Sequence, residues 1–331
     1  PLVGTGRRQL VALLDAWREA AAGSARLMLL RGDPGTGKTR LADELAARAR
    51  LDGAAVAYAR ALEGDSVADL VGAWVRGGLA VSELAGAPPA ALAGLAAADP
   101  DLLVRFPGAR SAAPQAMGEA LTAGALAVAE IRPLLLVLDD AHRAAPEVLA
   151  AIGRLAQRGR PARLGILLTV ATQSAADTDV VSERIGRDLA GTELAPGPLA
   201  DADVGELVAW ALPDYRADEA KRLVRRVMAD TAGNPFLAVE LVLAVRAGLT
   251  LSAGRDDRGE AWPARRRTLD DTLPSELPPS VAAALRRRYR ALSESAQRAL
   301  AALAVLGGRT PLDALALGAD VARAELEGAL D

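Results

Sequence analysis

A chain of 331 residues can bury two or three separate cores, and 51% hydrophobic residues with only 3% aromatics favour small-residue helix packing over a β-sandwich. A net charge of −3 provides no overall field to attract nucleic acid or an anionic membrane. With no cysteine there can be no disulfide and no thiolate metal site, which fits a reducing compartment, so a cytoplasmic location is expected.

In chain order, Leu10, Leu13, Leu14 and Trp17 follow helical spacing and predict an amphipathic helix ending near Gly23. A short buried strand at Leu27–Leu30 leads into the glycine-rich stretch Gly32–Gly37 and a helix from Lys38 to about Arg50. Ala54–Leu62 reads as a second strand, and residues 64–114 as helical segments broken by Gly and Pro. The longest uncharged run, Leu84–Ala98, contains Pro88 and Pro89 and is too short to span a bilayer, so no membrane association is expected. Met117–Ile131 is a helix, Leu134–Leu138 a strand buried on both faces, and Val148, Leu149, Ile152 and Leu155 mark another helix before a strand at Leu164–Val170. Strands alternating with helices predict a parallel α/β sheet. After Pro196–Pro198 the strand pattern stops, and helices are expected at about 201–212, 217–231 and 235–247. Residues 251–277 are rich in charge and proline and read as a linker, after which a helical segment returns, with helices at Ala283–Leu292 and Ser295–Leu306 and a final pair to Asp331. There is no signal peptide, and a start at Pro1 instead of methionine is expected of a piece of a longer protein.

Three rare residue types fall inside motifs. Lysine occurs only at Lys38 and Lys221, His142 is the only histidine and Asn234 the only asparagine. Gly32-Asp33-Pro34-Gly35-Thr36-Gly37-Lys38-Thr39 fits G-x-x-x-x-G-K-[ST], leaving a strand and opening a helix. Glycines let successive N–H groups turn inward around phosphates, and the helix N-terminus adds positive potential. Lys38 is expected to reach the β- and γ-phosphates and Thr39 to ligate Mg²⁺. Asp33, Pro34, Gly35, Thr36, Gly37, Lys38, Thr39 and Arg40 are thus the expected nucleotide contacts, with ATP or ADP and Mg²⁺ as cofactors.

Asp139-Asp140 closes the apolar strand, where a carboxylate can hold the nucleotide's metal. Asp139 is the metal candidate, and Asp140 the catalytic candidate for orienting water, one methylene shorter than the usual glutamate. His142 reads as a tie for this loop or a neighbour of the γ-phosphate; a zinc site is not expected, there being no second histidine and no cysteine.

Together with Leu2-Val3-Gly4, TAGNPFLAVEL at 231–241 and LPPSVAAALRRRYRALSESAQRALAALAVLG at 277–307, the stretches GDPGTGKTRLADELA and LLLVLDDAH resemble the STAND class of AAA+-related ATPases, which includes MalT-like and other large LuxR-class bacterial regulators. The resemblance implies a P-loop NTPase sheet of order 5-1-4-3-2 with a helical lid and the start of a winged-helix domain. It implies a nucleotide-binding domain at 1–195, the lid at 196–250, the linker at 251–277 and a truncated winged-helix domain at 278–331. It also implies that Val3 and Gly4 border the adenine and that Pro235 contacts it from the lid. The residues alone give a simpler reading, with Asn234 capping a helix and Pro235 in its first turn; both can hold.

Three departures stand out. Thr5 and Gly6 precede Arg7, where the family has an arginine directly after Val-Gly; Arg143 replaces a common aromatic; and Gln173 stands at the sensor position usually held by an arginine. Gln173 can hydrogen-bond but cannot neutralise charge, which bears on hydrolysis more than on binding. The resemblance implies a nucleotide-controlled signal-transduction switch with slow ATP hydrolysis and ATP-dependent self-association, Arg184 and Arg187 being candidate arginine fingers. Any DNA binding would belong to a C-terminal domain outside this chain. The alternative is a DNA-acting AAA+ motor or loader, which needs a basic track; Arg265–Arg267 and Arg286–Arg288 are the only tight basic runs and read as solvated faces. A nucleotide-kinase-like phosphotransferase fits poorly, for want of an acceptor-site signature.

Overall fold

The computed structural model describes residues 2–79, 82–172, 190–246, 289–290, 292–306 and 310–330. It comprises two compact units, Thr5–Gly197 and a second formed by Pro1–Gly4 with Pro198–Asp331.

The first unit is built on five strands: β1 (Arg26–Gly32), β2 (Ala55–Arg60), β3 (Leu134–Asp139), β4 (Leu164–Ala171) and β5 (Ala190–Leu194). Their spatial order is β2-β3-β4-β1-β5 and every neighbouring pair is parallel. Read from the other edge this is the expected 5-1-4-3-2, the sheet of a P-loop NTPase α/β fold. Parallel neighbours need crossover connections, and the covering helices leave no wet face. Accordingly β3 is buried at all six positions and β4 at all but its last residue. Alternate residues of each strand serve opposite faces. Leu27, Leu29, Leu136, Leu138, Ile166 and Leu168 belong to one core with the helices Val67–Trp74, Met117–Ile131 and Pro146–Arg158. The intervening Met28, Leu30, Leu135, Val137 and Leu167 are equally buried.

The first helix runs Gly4–Ala21, beginning before the apolar periodicity does. The broken stretch at 64–114 resolves into the helices Val67–Trp74, Pro89–Leu95 and Leu102–Arg105, the 3₁₀ turns Ser82–Gly86 and Pro107–Ser111, and one π turn at Val75–Leu79. The first of these starts on a capping box between Ser66 and Asp69. β5 had no apolar signature; it is an edge strand whose Gly191 and Glu193 are exposed, so little patterning was required of it.

In the second unit, the helices Asp201–Ala211, Ala217–Thr231 and Pro235–Arg246 enclose Val204, Leu207, Leu223, Val227 and Leu241, and Val3 joins this core. Farther along, Glu294–Leu306, Leu312–Ala319 and Arg323–Leu330 share a smaller core that includes Ala299, Leu315 and Leu326. The linker at 251–277, both arginine runs and residues 283–288 and 291 of the expected helix Ala283–Leu292 lie outside the described residues. Among the described residues no helix is long and apolar enough to cross a membrane.

Candidate functional site

The sheet brings the C-terminal ends of its parallel strands to one edge, where open α/β folds bind ligands. β1 ends there in the glycine loop. Gly35 (φ 83°) and Gly37 (φ 91°) take left-handed conformations that residues with a Cβ rarely adopt. Thr36 closes the turn, its N–H and its hydroxyl both donating to the Asp33 carbonyl at 3.3 and 2.8 Å. Gly37 then opens the 14-residue helix Lys38–Leu51 with no side-chain cap, leaving its first N–H groups for a ligand.

Lys38 is buried, and its ammonium donates to the carbonyls of Gly32 at 2.8 Å and Asp33 at 3.0 Å. Burial lowers its pKa, while Asp140, Asp139 and Asp33 pull the other way. Thr39 follows on the helix, and its hydroxyl donates to Asp139 Oδ2 at 3.0 Å, with Oδ1 at 3.3 Å. The helix after β1 and the end of β3 thus place a hydroxyl and a fully buried carboxylate in contact. Asp33, Pro34 and Arg40 are exposed on the same stretch, Arg40 pairing with Glu44 at 2.6 Å.

Two residues not singled out in the sequence complete the acidic end. Thr169, fully buried on β4, donates to Asp139 Oδ1 at 2.6 Å and accepts the N–H of Asp140 at 2.8 Å. Arg60, at the end of β2, donates from Nε and Nη2 to Asp140 Oδ2 at 2.9 and 2.8 Å. A lone polar residue in the otherwise apolar Leu164–Ala171 was the available signal for Thr169. Arg60, one arginine among many, carried none. Asp140 itself sits in left-handed backbone (φ 53°, ψ 39°). His142 Nδ1 accepts the Ala171 N–H at 3.4 Å, tying this loop to the end of β4. Burial lowers the His142 pKa, outweighing the pull of Asp140.

Val3, Gly4 and Pro235 lie in the second unit. Val3 packs in its helical core. Gly4 (φ 46°) lies so close to Asp203 that a Cβ would overlap its carboxylate. Asn234 Oδ1 accepts the Leu237 N–H at 3.2 Å and Pro235 is the first residue of its helix, as the residues alone indicated. Gln173, Arg184 and Arg187 lie outside the described residues.

The donor set suits a hard divalent cation. One hydroxyl and one carboxylate supply oxygens, whereas among the described residues no three His, Cys, Asp or Glu side chains converge to hold a metal alone. Mg²⁺ is bound in this manner when phosphate and water complete its shell. Backbone N–H groups, a helix N-terminus and a buried ammonium beside that pair suit a polyphosphate.

The sequence matches the AAA ATPase domain family over residues 5–170, half of its length, and the chain belongs to that family. Its structure is similar to that of the Aeropyrum pernix ORC2 protein, solved as ADPNP–ADP complexes, at 18% identity and a TM-score of 0.52, covering 96% of this chain and 80% of that one. It is also similar to a signal transduction ATPase with numerous domains (STAND) carrying a tetratricopeptide repeat sensor, from Pyrococcus horikoshii. There the identity is 14% and the TM-score 0.54, over 99% of this chain but 38% of that chain. At such identities the likeness is one of fold. No curated protein matches the sequence.

Proposed function

We propose that this AAA ATPase domain is the nucleotide switch of a STAND-type regulator of the MalT-like, large LuxR class, binding Mg-ATP and hydrolysing it slowly. The observation that carries the reading is the 3.0 Å contact between Thr39 Oγ1 and Asp139 Oδ2, beside an ammonium held only by loop carbonyls among the described residues. Loop N–H groups bind the phosphates, and Lys38 exchanges the Gly32 and Asp33 carbonyls for β- and γ-phosphate oxygens. Thr39 and Asp139 would hold Mg²⁺, which would supply neutralisation of the phosphate charge. Asp140 orients the attacking water once its carboxylate leaves Arg60. That prior engagement, with glutamine at position 173, accords with slow turnover.

The winged-helix assignment for 278–331 and the base-contacting roles of Val3, Gly4 and Pro235 belong to the same proposal, as does ATP-dependent self-association. A switch requires the γ-phosphate to favour one conformation over another, because equal affinity shifts nothing. Calorimetry with Mg-ADP and with a non-hydrolysable Mg-ATP analogue, followed by light scattering, tests both levels. Both nucleotides are expected to bind and only the analogue to drive association. Absence of binding removes the assigned site; identical association with either nucleotide removes the switch.

A further inference from the structure

Among the described residues Thr169 differs from the other buried threonines, whose hydroxyls bond only backbone groups near them in sequence. Thr122 and Thr231 return their hydroxyls to helix carbonyls four residues back, Gly118 at 2.9 Å and Val227 at 2.7 Å, as buried helical threonines commonly do. Thr169 is the only polar side chain in Leu164–Ala171 and joins two functional candidates at once. The β3–β4 register pairs Leu138 with Leu168, so its continuation sets Asp139 beside Thr169.

We propose that Thr169 is a positioning residue of the nucleotide site, an assignment that rests on the function proposed above. A hydroxyl has one donor and two acceptor lone pairs. Here the donor engages Asp139 Oδ1 and a lone pair takes the Asp140 N–H. The first bond engages Oδ1 of the fully buried carboxylate and leaves Oδ2, the oxygen nearer Thr39 and 3.9 Å from Arg60 Nε, as the one for the metal. Hydrogen bonds to a charged acceptor are short and strong, and a buried carboxylate needs them to stay ionised. The second bond fixes the peptide between the two acids. Asp140 leaves that peptide in left-handed backbone, a conformation disfavoured for non-glycine residues, and anchoring its N–H aims the side chain. One hydroxyl therefore sets both the metal-facing oxygen and the direction of the water-orienting group.

The test compares T169V, of nearly equal volume, T169C, a weak donor, and T169S, which restores the hydroxyl. ADP affinity is measured by calorimetry without metal and with saturating Mg²⁺, and thermal melting reports folding. T169V is expected to bind metal-free ADP within about twofold of wild type while losing roughly tenfold of the affinity gained from Mg²⁺, the scale of one charged hydrogen bond. T169S should keep that gain. An unchanged Mg²⁺ gain in T169V overturns the assignment, as does an equal loss with and without metal, the mark of a purely structural role. Should T169V fail to fold, T169C takes its place: a reduced gain supports the assignment and a full gain overturns it. Failure of the wild-type protein to bind ADP refutes the nucleotide reading and this assignment with it, whereas wild-type binding with an unaffected variant refutes the assignment alone.

Discussion

Both units bury charged side chains, yet they dispose of them differently. In Thr5–Gly197 the buried ammonium of Lys38 contacts carbonyl oxygens, and the buried carboxylate of Asp139 contacts two hydroxyls. In the second unit the buried Arg226 and Asp230 pair directly with each other one helical turn apart. Charge is costly to bury unless it is paired or hydrogen-bonded. Such a pair serves the architecture of its helix. Lys38 bonds neutral carbonyls, and Asp139 is held by two hydroxyls with the Arg60 guanidinium 3.9 Å from Oδ2, an arrangement suited to a charge that arrives later. The contrast agrees with the phosphate site proposed for the first unit.

Removing half of the Arg226–Asp230 pair should have the largest effect. Asp230→Ala leaves a buried guanidinium without its carboxylate and should destabilise the second unit by about 3–5 kcal/mol, measured by denaturant unfolding and hydrogen exchange. A change within experimental scatter would mean that Arg226 needs no buried counter-charge. Lys38→Ala should do the reverse, leaving the melting temperature nearly unchanged while lowering nucleotide affinity about 10- to 100-fold, the weight of its charged hydrogen bonds. Retained affinity would show that the loop does not bind phosphate. At the water-orienting position, Asp140→Asn should preserve binding and slow turnover. Arg60→Ala should raise turnover up to about fivefold, because its pair with Asp140 is partly exposed and correspondingly weak. A fall in turnover would instead give Arg60 a stabilising part in the reaction.

The smallest expected effect concerns His142. Burial holds its folded pKa below the ordinary histidine value, so the unfolded chain takes up a proton first as pH falls. The associated stability is present above about pH 6.5 and is lost on acidification through the unfolded and then the folded pKa. His142→Asn keeps an acceptor for the Ala171 N–H without titrating, and should flatten the dependence of unfolding free energy on pH below about 6.5. An unchanged slope would place the acid-sensitive group elsewhere.

How much was legible beforehand follows from burial. β3 and β4 are covered on both faces, so their apolar runs declared themselves, and the parallel sheet followed from strands alternating with helices. Among the described residues β5 pairs along one edge only and has exposed Gly191 and Glu193, so it left no pattern to read. The glycine loop was visible because left-handed turns and phosphate-facing amides demand particular residue types at fixed spacing. The Asn234 cap was visible for a similar reason, being a local hydrogen bond across three residues.

What the amino-acid order determined by itself was local: a loop able to wrap phosphates, a strand ending in two carboxylates, and the helices that cover them. Tertiary structure alone decided that Thr39 meets Asp139 across 100 positions, that Thr169 bridges both acids, and that Arg60 reaches Asp140 from 80 residues away. The physical reason is that strand neighbours are set by sheet order rather than chain order. β3 lies between β2 and β4, and β4 lies against β1, so residues with no local relationship are delivered to one edge. Their chemistry is written in the residue types, but their meeting is a property of the fold.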